Sequence, residues 1–221
     1  LSTVFVDSVV NSTRRNLQVN TTVVDWVALG KVSPVKDMVN CGASWAFASA
    51  GAIESGHLIK NGSVVSMSEQ QVMDCTLGNC TDGQLYYIFN MSNTTGVNTT
   101  TNYPYLGYDV LMCRRNGGPI KISNFLTVVN SSCSSFNTAL TYGPFPVLIE
   151  ASNLKGYESG IVTSCGTTGG PNFYMLLVGI NDSGWTLKNS WSIYWGDAGF
   201  LHLAPGNTCY ICNSPTYRPV I

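Results

Sequence analysis

Apolar residues recur with a helical period in the first half of the chain and with a strand period in the second. Residues 44–60 predict a helix rich in small side chains (Ala46, Ala48, Ser49, Ala50, Gly51 and Ala52), which permit close packing against a sheet. Asn61-Gly62 ends it, because glycine enters the left-handed region without a Cβ clash. Ser68 with Gln71 reads as a capping box for a second helix. Leu85, Ile88 and Phe89, at i, i+3 and i+4, predict a third over 83–90. Residues 90–102 read as a polar, solvent-facing loop. From residue 124 onward the character turns to β. Strands are predicted at 145–150, 175–180, 185–187 and 199–203, and a short helix at 135–141 interrupts this β region. In the last strand His202 alternates with buried leucines and is expected at the surface.

Composition narrows the function classes. The net charge is −1 and only 10% of residues are charged, which leaves no electrostatic footprint for nucleic acid and no polybasic membrane patch. The longest apolar run, 173–180, is far short of a membrane span. The eight cysteines argue for an oxidising compartment, extracellular or in the secretory or endolysosomal lumen. Cys209-Tyr210-Ile211-Cys212 has C-x-x-C spacing, but a zinc or redox site needs a second pair or a thioredoxin-like context. No metal and no cofactor is expected. Nine Asn-x-Ser/Thr sequons, at Asn11, Asn20, Asn61, Asn79, Asn90, Asn93, Asn98, Asn130 and Asn181, point to a surface kept soluble by N-glycans.

One motif is specific. Cys41-Gly42-Ala43-Ser44-Trp45 matches the C-G-[SA]-C-[WY] signature of papain-type enzymes except at the thiol, where Ser44 stands. Further segments follow in the family's order: Val24-Asp25-Trp26, Ser68 to Cys75, Asn102-Tyr103-Pro104-Tyr105, Leu187-Lys188-Asn189-Ser190-Trp191 and Trp195-Gly196. Together they make residues from about 24 to 221 resemble the mature part of a papain-like cysteine protease. The resemblance implies an α+β fold of two lobes, a helical lobe at 27–123 and an antiparallel β-barrel lobe at 124–212, with a cleft between them and a tail at 213–221 crossing back. Residues 1–20 lie outside that body of 21–221. The resemblance also implies the disulfides Cys41–Cys80, Cys75–Cys113 and Cys165–Cys209, which leaves Cys133 and Cys212 for a fourth.

Carried over by resemblance, the nucleophile's position falls on Ser44, the oxyanion glutamine's on Met38, the histidine's on Phe173 and the asparagine's on Asn189. Of these residue types only the asparagine is kept. An engineered Cys→Ser change would account for Ser44 but not for Met38 and Phe173. A serine needs a neighbouring base. His57 is thirteen residues up the same helix from Ser44, roughly 20 Å at 1.5 Å per residue. Lys36 resembles a family loop lysine that is not catalytic. Asn189, without its histidine, is expected to bond a backbone group or water. Gly83 and Trp191 are candidates for a surviving peptide cleft. The expected function is that of a non-catalytic glycoprotein that binds another protein or assembles with itself into a filament or matrix. The alternative is a serine-type hydrolase using Ser44 with an unrecognised base. Segment 1–10 is apolar on both faces, through Leu1, Phe5 and Val9 and through Val4, Val6 and Val10. It reads either as a propeptide remnant or as a strand donated to a neighbouring subunit.

Overall fold

The computed structural model describes residues 23–110, 112–129, 132–166 and 169–221. The N-terminal extension and the sequons at Asn11, Asn20 and Asn130 lie outside the described residues.

Helix α1 (Ser44–Asn61) is the axis of the molecule, and its residues are almost all buried as far as Ser55. Its small side chains let strand β5 (Phe173–Asn181) approach closely. A Cβ on Gly51 would stand 3.1 Å from Leu176 Cδ2 and 3.3 Å from Lys188 Nζ, so alanine here would crowd both. Gly62 closes the helix at φ +71°, its N–H donating to Leu58 O.

Helix α2 (Glu69–Cys75) begins with Ser68 Oγ accepting from Gln71 N. The reciprocal half of the predicted capping box does not form. Gln71 spends its side chain on Arg115 O, Gly117 O and Asn98 N, while Ser68 N donates to Asn98 O. Helix α3 spans Leu85–Thr94, starting later and ending later than the pattern suggested. Met91 and Ser92 extend its buried face, so the first turn of the expected polar loop is helical. The middle of the loop, 96–98, is buried too, whereas Thr101 and Asn102 at its far end are exposed as expected. Asn98 is 3% exposed, and its Nδ2 donates to Gly117 O.

Strand β5 is the centre of the sheet. It pairs antiparallel with β1 (Val24–Asp25), β3 (Phe145–Ile149) and β6 (Gly184–Lys188). Beyond β6 lie β7 (Phe200–Leu203), antiparallel, and the edge strand β4 (Ile161–Val162), which runs parallel to β7. A separate antiparallel pair joins β2 (Asn124–Val128) to β8 (Thr216–Val220). Helix α4 (Cys133–Leu140) packs Phe136 and Leu140 into the sheet's core.

Two cores result. One gathers Trp45, Ile53, Val72, Ile88 and Phe89 among the helices, and the other gathers Phe136, Phe145, Ile149, Leu177 and Trp185 about the sheet. Ala52, Leu176 and Val178 form a small third cluster where α1 meets β5. Phe125 and Tyr217, from the β2–β8 pair, pack on the helical core together with Ile221. Four disulfides join Cys41–Cys80, Cys75–Cys113, Cys133–Cys212 and Cys165–Cys209, and no cysteine is free. The architecture is the two-lobed α+β arrangement that the resemblance implied.

Candidate functional site

The start of α1 and the start of β5 meet at the junction of the two cores. Ser44 is the first residue of α1 and 5% exposed. Its Oγ accepts a hydrogen bond from Tyr174 N at 3.1 Å. The residue before Tyr174, Phe173, opens β5 and lays its ring against Trp191, with centroids 4.7 Å apart. Trp191 in turn meets Trp195 edge-on at 5.0 Å. Such ring pairs add about 1 kcal/mol beyond the area they bury.

Met38 faces this wall from the helical side. It is buried, and its N–H donates to Ser190 O at 3.0 Å. Ser190 Oγ donates to Met38 Sδ at 3.6 Å, and Tyr105 OH donates to Met38 O at 2.9 Å. The next residue, Val39, takes φ +54°, a left-handed conformation that a β-branched side chain rarely adopts. Asp37 Oδ1 holds the turn by accepting from Val39 N, and the valine side chain is left 64% exposed.

Met38, Val39, Asn40, Cys41 and Gly42 on one side, with Phe173, Trp191, Trp195 and Lys155 on the other, enclose an open cavity of about 530 Å³. Its walls are mostly apolar. Gly83 does not line it. Gly83 and Gly78 both press on the indole of Trp45, where neither could carry a Cβ. Trp45 Nε1 donates to Asn79 O.

Asn189 is buried beside Ser190, and its Oδ1 accepts from Ser190 N. Its Nδ2 finds no hydrogen-bond partner among the described residues, so the expected backbone partner serves only half of the side chain. Neither histidine reaches Ser44. His57 bonds Lys121 O, and His202 lies on β7 between Asp197 Oδ2 at 2.9 Å and Thr186 Oγ1 at 3.3 Å.

Two lysines beneath the junction are also engaged. Lys36 Nζ bonds Glu54 Oε1 and Glu69 Oε1, each at 2.6 Å. Burial alone would lower its pKa, but Glu69 and Glu54 together hold it above the ordinary lysine value. Lys188 Nζ donates to Ser33 O, Ser33 Oγ and Pro34 O, and burial brings its pKa down to about 8. This charged cluster went unread in the sequence. The available signal was Glu54, an acid set among small buried residues in a chain where charge is scarce.

The site therefore brings Met38, Ser44, Phe173, Asn189 and Trp191 together from three separate stretches of sequence. Residues 20–218 match the family profile described as papain family cysteine protease. The chain belongs to the papain family of cysteine proteases. This papain-family chain is 35% identical over 218 residues to digestive cysteine proteinase 1 of Homarus americanus, covering 90% of itself and 67% of that protein. It is 33% identical over 215 residues to the probable cysteine protease RDL2 of Arabidopsis thaliana, covering 88% of itself and 59% of that protein. With the probable cysteine protease RD21C of the same plant it shares 34% identity over 194 residues, 81% of the chain but only 42% of that protein. The chain thus spans between about two fifths and two thirds of these relatives' lengths. Among solved structures, the Carica candamarcensis cysteine protease CMS1MS2 in complex with E-64 superposes with a TM-score of 0.81 at 27% identity, covering 90% of this chain and 98% of that one. The bromelain protease of Ananas comosus in complex with the E64 inhibitor gives 0.79 at 30% identity with the same coverage.

Proposed function

We propose that this papain-family chain is not a peptidase and acts by binding a protein partner, in a secreted and glycosylated form. The observation that carries the reading is the state of Ser44. Its oxygen is buried and accepts from the backbone of β5, and the side chain that precedes that backbone N–H is the ring of Phe173. A serine becomes nucleophilic only when a base takes its proton. His57, His202, Lys36 and Lys188 are all committed to other partners. An oxyanion hole requires donors aimed at the developing charge, and the Met38 thioether accepts instead.

Loss of chemistry leaves the cavity. Its apolar walls suit an aliphatic or aromatic side chain leaving water, at roughly 25 cal/mol per Å² buried. The four disulfides favour an oxidising compartment, hence the secretory lumen or the outside of the cell. The partner is a protein, and a second copy of this chain in an extracellular assembly falls within that class. The test is hydrolysis of a fluorogenic dipeptide panel by the glycosylated protein, before and after treatment with a fluorophosphonate. No turnover and no labelling of Ser44 is expected. Turnover that is lost as Ser44 labels would replace this reading with a serine-type hydrolase.

A further inference from the structure

The described sequons are not chemically equivalent. N-glycosylation joins the carboxamide nitrogen to the anomeric carbon of a lipid-diphosphate-linked oligosaccharide. An N–C bond forms, the C–O bond to the diphosphate breaks, and the nitrogen gives up one of its two protons. An acceptor asparagine therefore needs one amide hydrogen to spare and room for a sugar.

Asn98 has neither. It is 3% exposed, and its Nδ2 donates to Gly117 O inside the fold. Asn93, on α3, is assigned with its amide nitrogen toward Ile122 O and Ser123 O, at 3.3 and 3.0 Å, because only that orientation gives these acceptors a donor, and both hydrogens are then spent on backbone carbonyls. Asn181 and Asn61 differ. Asn181 is exposed as the last residue of β5, before the tight turn to β6, and only its oxygen is engaged, by Ser183 N at 2.8 Å. Asn61 is exposed at the end of α1. Its Nδ2 lies 3.2 Å from His57 Nδ1, a bond the second amide hydrogen can keep after a sugar is attached.

The two open positions also share a place in the fold. Asn61 is seventeen residues beyond Ser44 on α1, roughly 26 Å at 1.5 Å per residue. Asn181 is eight residues beyond Phe173 on β5, again roughly 26 Å at 3.3 Å per residue. The Ser44–Tyr174 bond pins the near ends of the two elements, and packing of Ala52 with Leu176 and Val178 keeps them side by side. Both far ends therefore lie well away from the cleft end of this junction.

We propose that Asn61 and Asn181 carry N-glycans, that Asn93 and Asn98 stay bare, and that these two sugars mark the face turned away from the cleft, leaving the cleft open to a partner. The inference rests on the secretory reading above; the half-buried Asn79 and Asn90 are outside the assignment.

The experiment is site-resolved mass spectrometry of the full chain secreted from a eukaryotic culture, deglycosylated enzymatically in heavy-oxygen water. Conversion to labelled aspartate is expected at Asn61 and Asn181 and absent at Asn93 and Asn98. Asn61→Gln and Asn181→Gln should each remove one glycan's worth of gel retardation, and the double variant two. Label at Asn93 or Asn98 in monomeric, fully disulfide-bonded protein overturns the assignment and leaves the secretory reading standing. A chain bare at every sequon overturns both.

Discussion

Ser44 works here as a fastener between lobes, and its neighbours can be read in the same light. If the site is inert because base, nucleophile and oxyanion donor are all lacking, replacing one residue restores nothing. Phe173→His is therefore expected to show no turnover on the dipeptide panel, and measurable peptidase activity in that single variant would refute the proposed function. Gly83→Ala makes a structural prediction instead. The new methyl would collide with Trp45, whose indole Gly78 also crowds, so a loss of about 1–3 kcal/mol is expected from the denaturation midpoint at unchanged slope. Which residues occupy the site was legible, because Cys41-Gly42, Trp45 and Asn189-Ser190-Trp191 bracket it in the chain. How they bond was not. The Tyr174 N to Ser44 Oγ contact joins residues 130 apart in sequence and leaves no local pattern.

At the scale of elements, the charged layer beneath α1 links structure to pH. Lys188, on β6, has its pKa brought to about 8 by burial, against an ordinary 10.5. Between those values the unfolded chain binds a proton that the native chain has released, so this residue's contribution to stability rises with pH. Below about pH 8 both states hold the proton and the contribution is level. Comparing the parent with Lys188→Met isolates the effect from other groups that titrate at high pH. The stability difference is expected to shift in the parent's favour by roughly 1.4 kcal/mol per pH unit from about pH 8 to 10. A flat difference would mean that the oxygens of Ser33 and Pro34 keep the ammonium charged. The long elements α1, β5, β6 and β7 were legible from period alone. The two-residue strands β1 and β4 were not, since they exist only as partners of β5 and β7. The end of α3 was missed because polar sequon residues on its outer face masked a buried face that continues to Ser92.

For the whole molecule, the four disulfides stand in for a sparse ion-pair network. Alkylation without reduction is expected to label no cysteine, and labelling of Cys133 with Cys212 alone would break the fourth bridge. Replacing that pair by alanines opens the longest disulfide loop, 79 residues in sequence, and is expected to cost about 2–5 kcal/mol. The pairing became legible only through the family resemblance, because eight cysteines by themselves allow 105 arrangements. The lobes are also joined without sulfur, by Ser44 to β5, by Met38 to Ser190 and by Lys188 to Ser33. These ties leave little freedom for the cleft to gape or shut. A ligand would meet a mould whose shape is already set, with no slow isomerisation before or after contact. In stopped-flow mixing its capture should then follow a single exponential, with a rate that climbs in proportion to ligand concentration and never levels off.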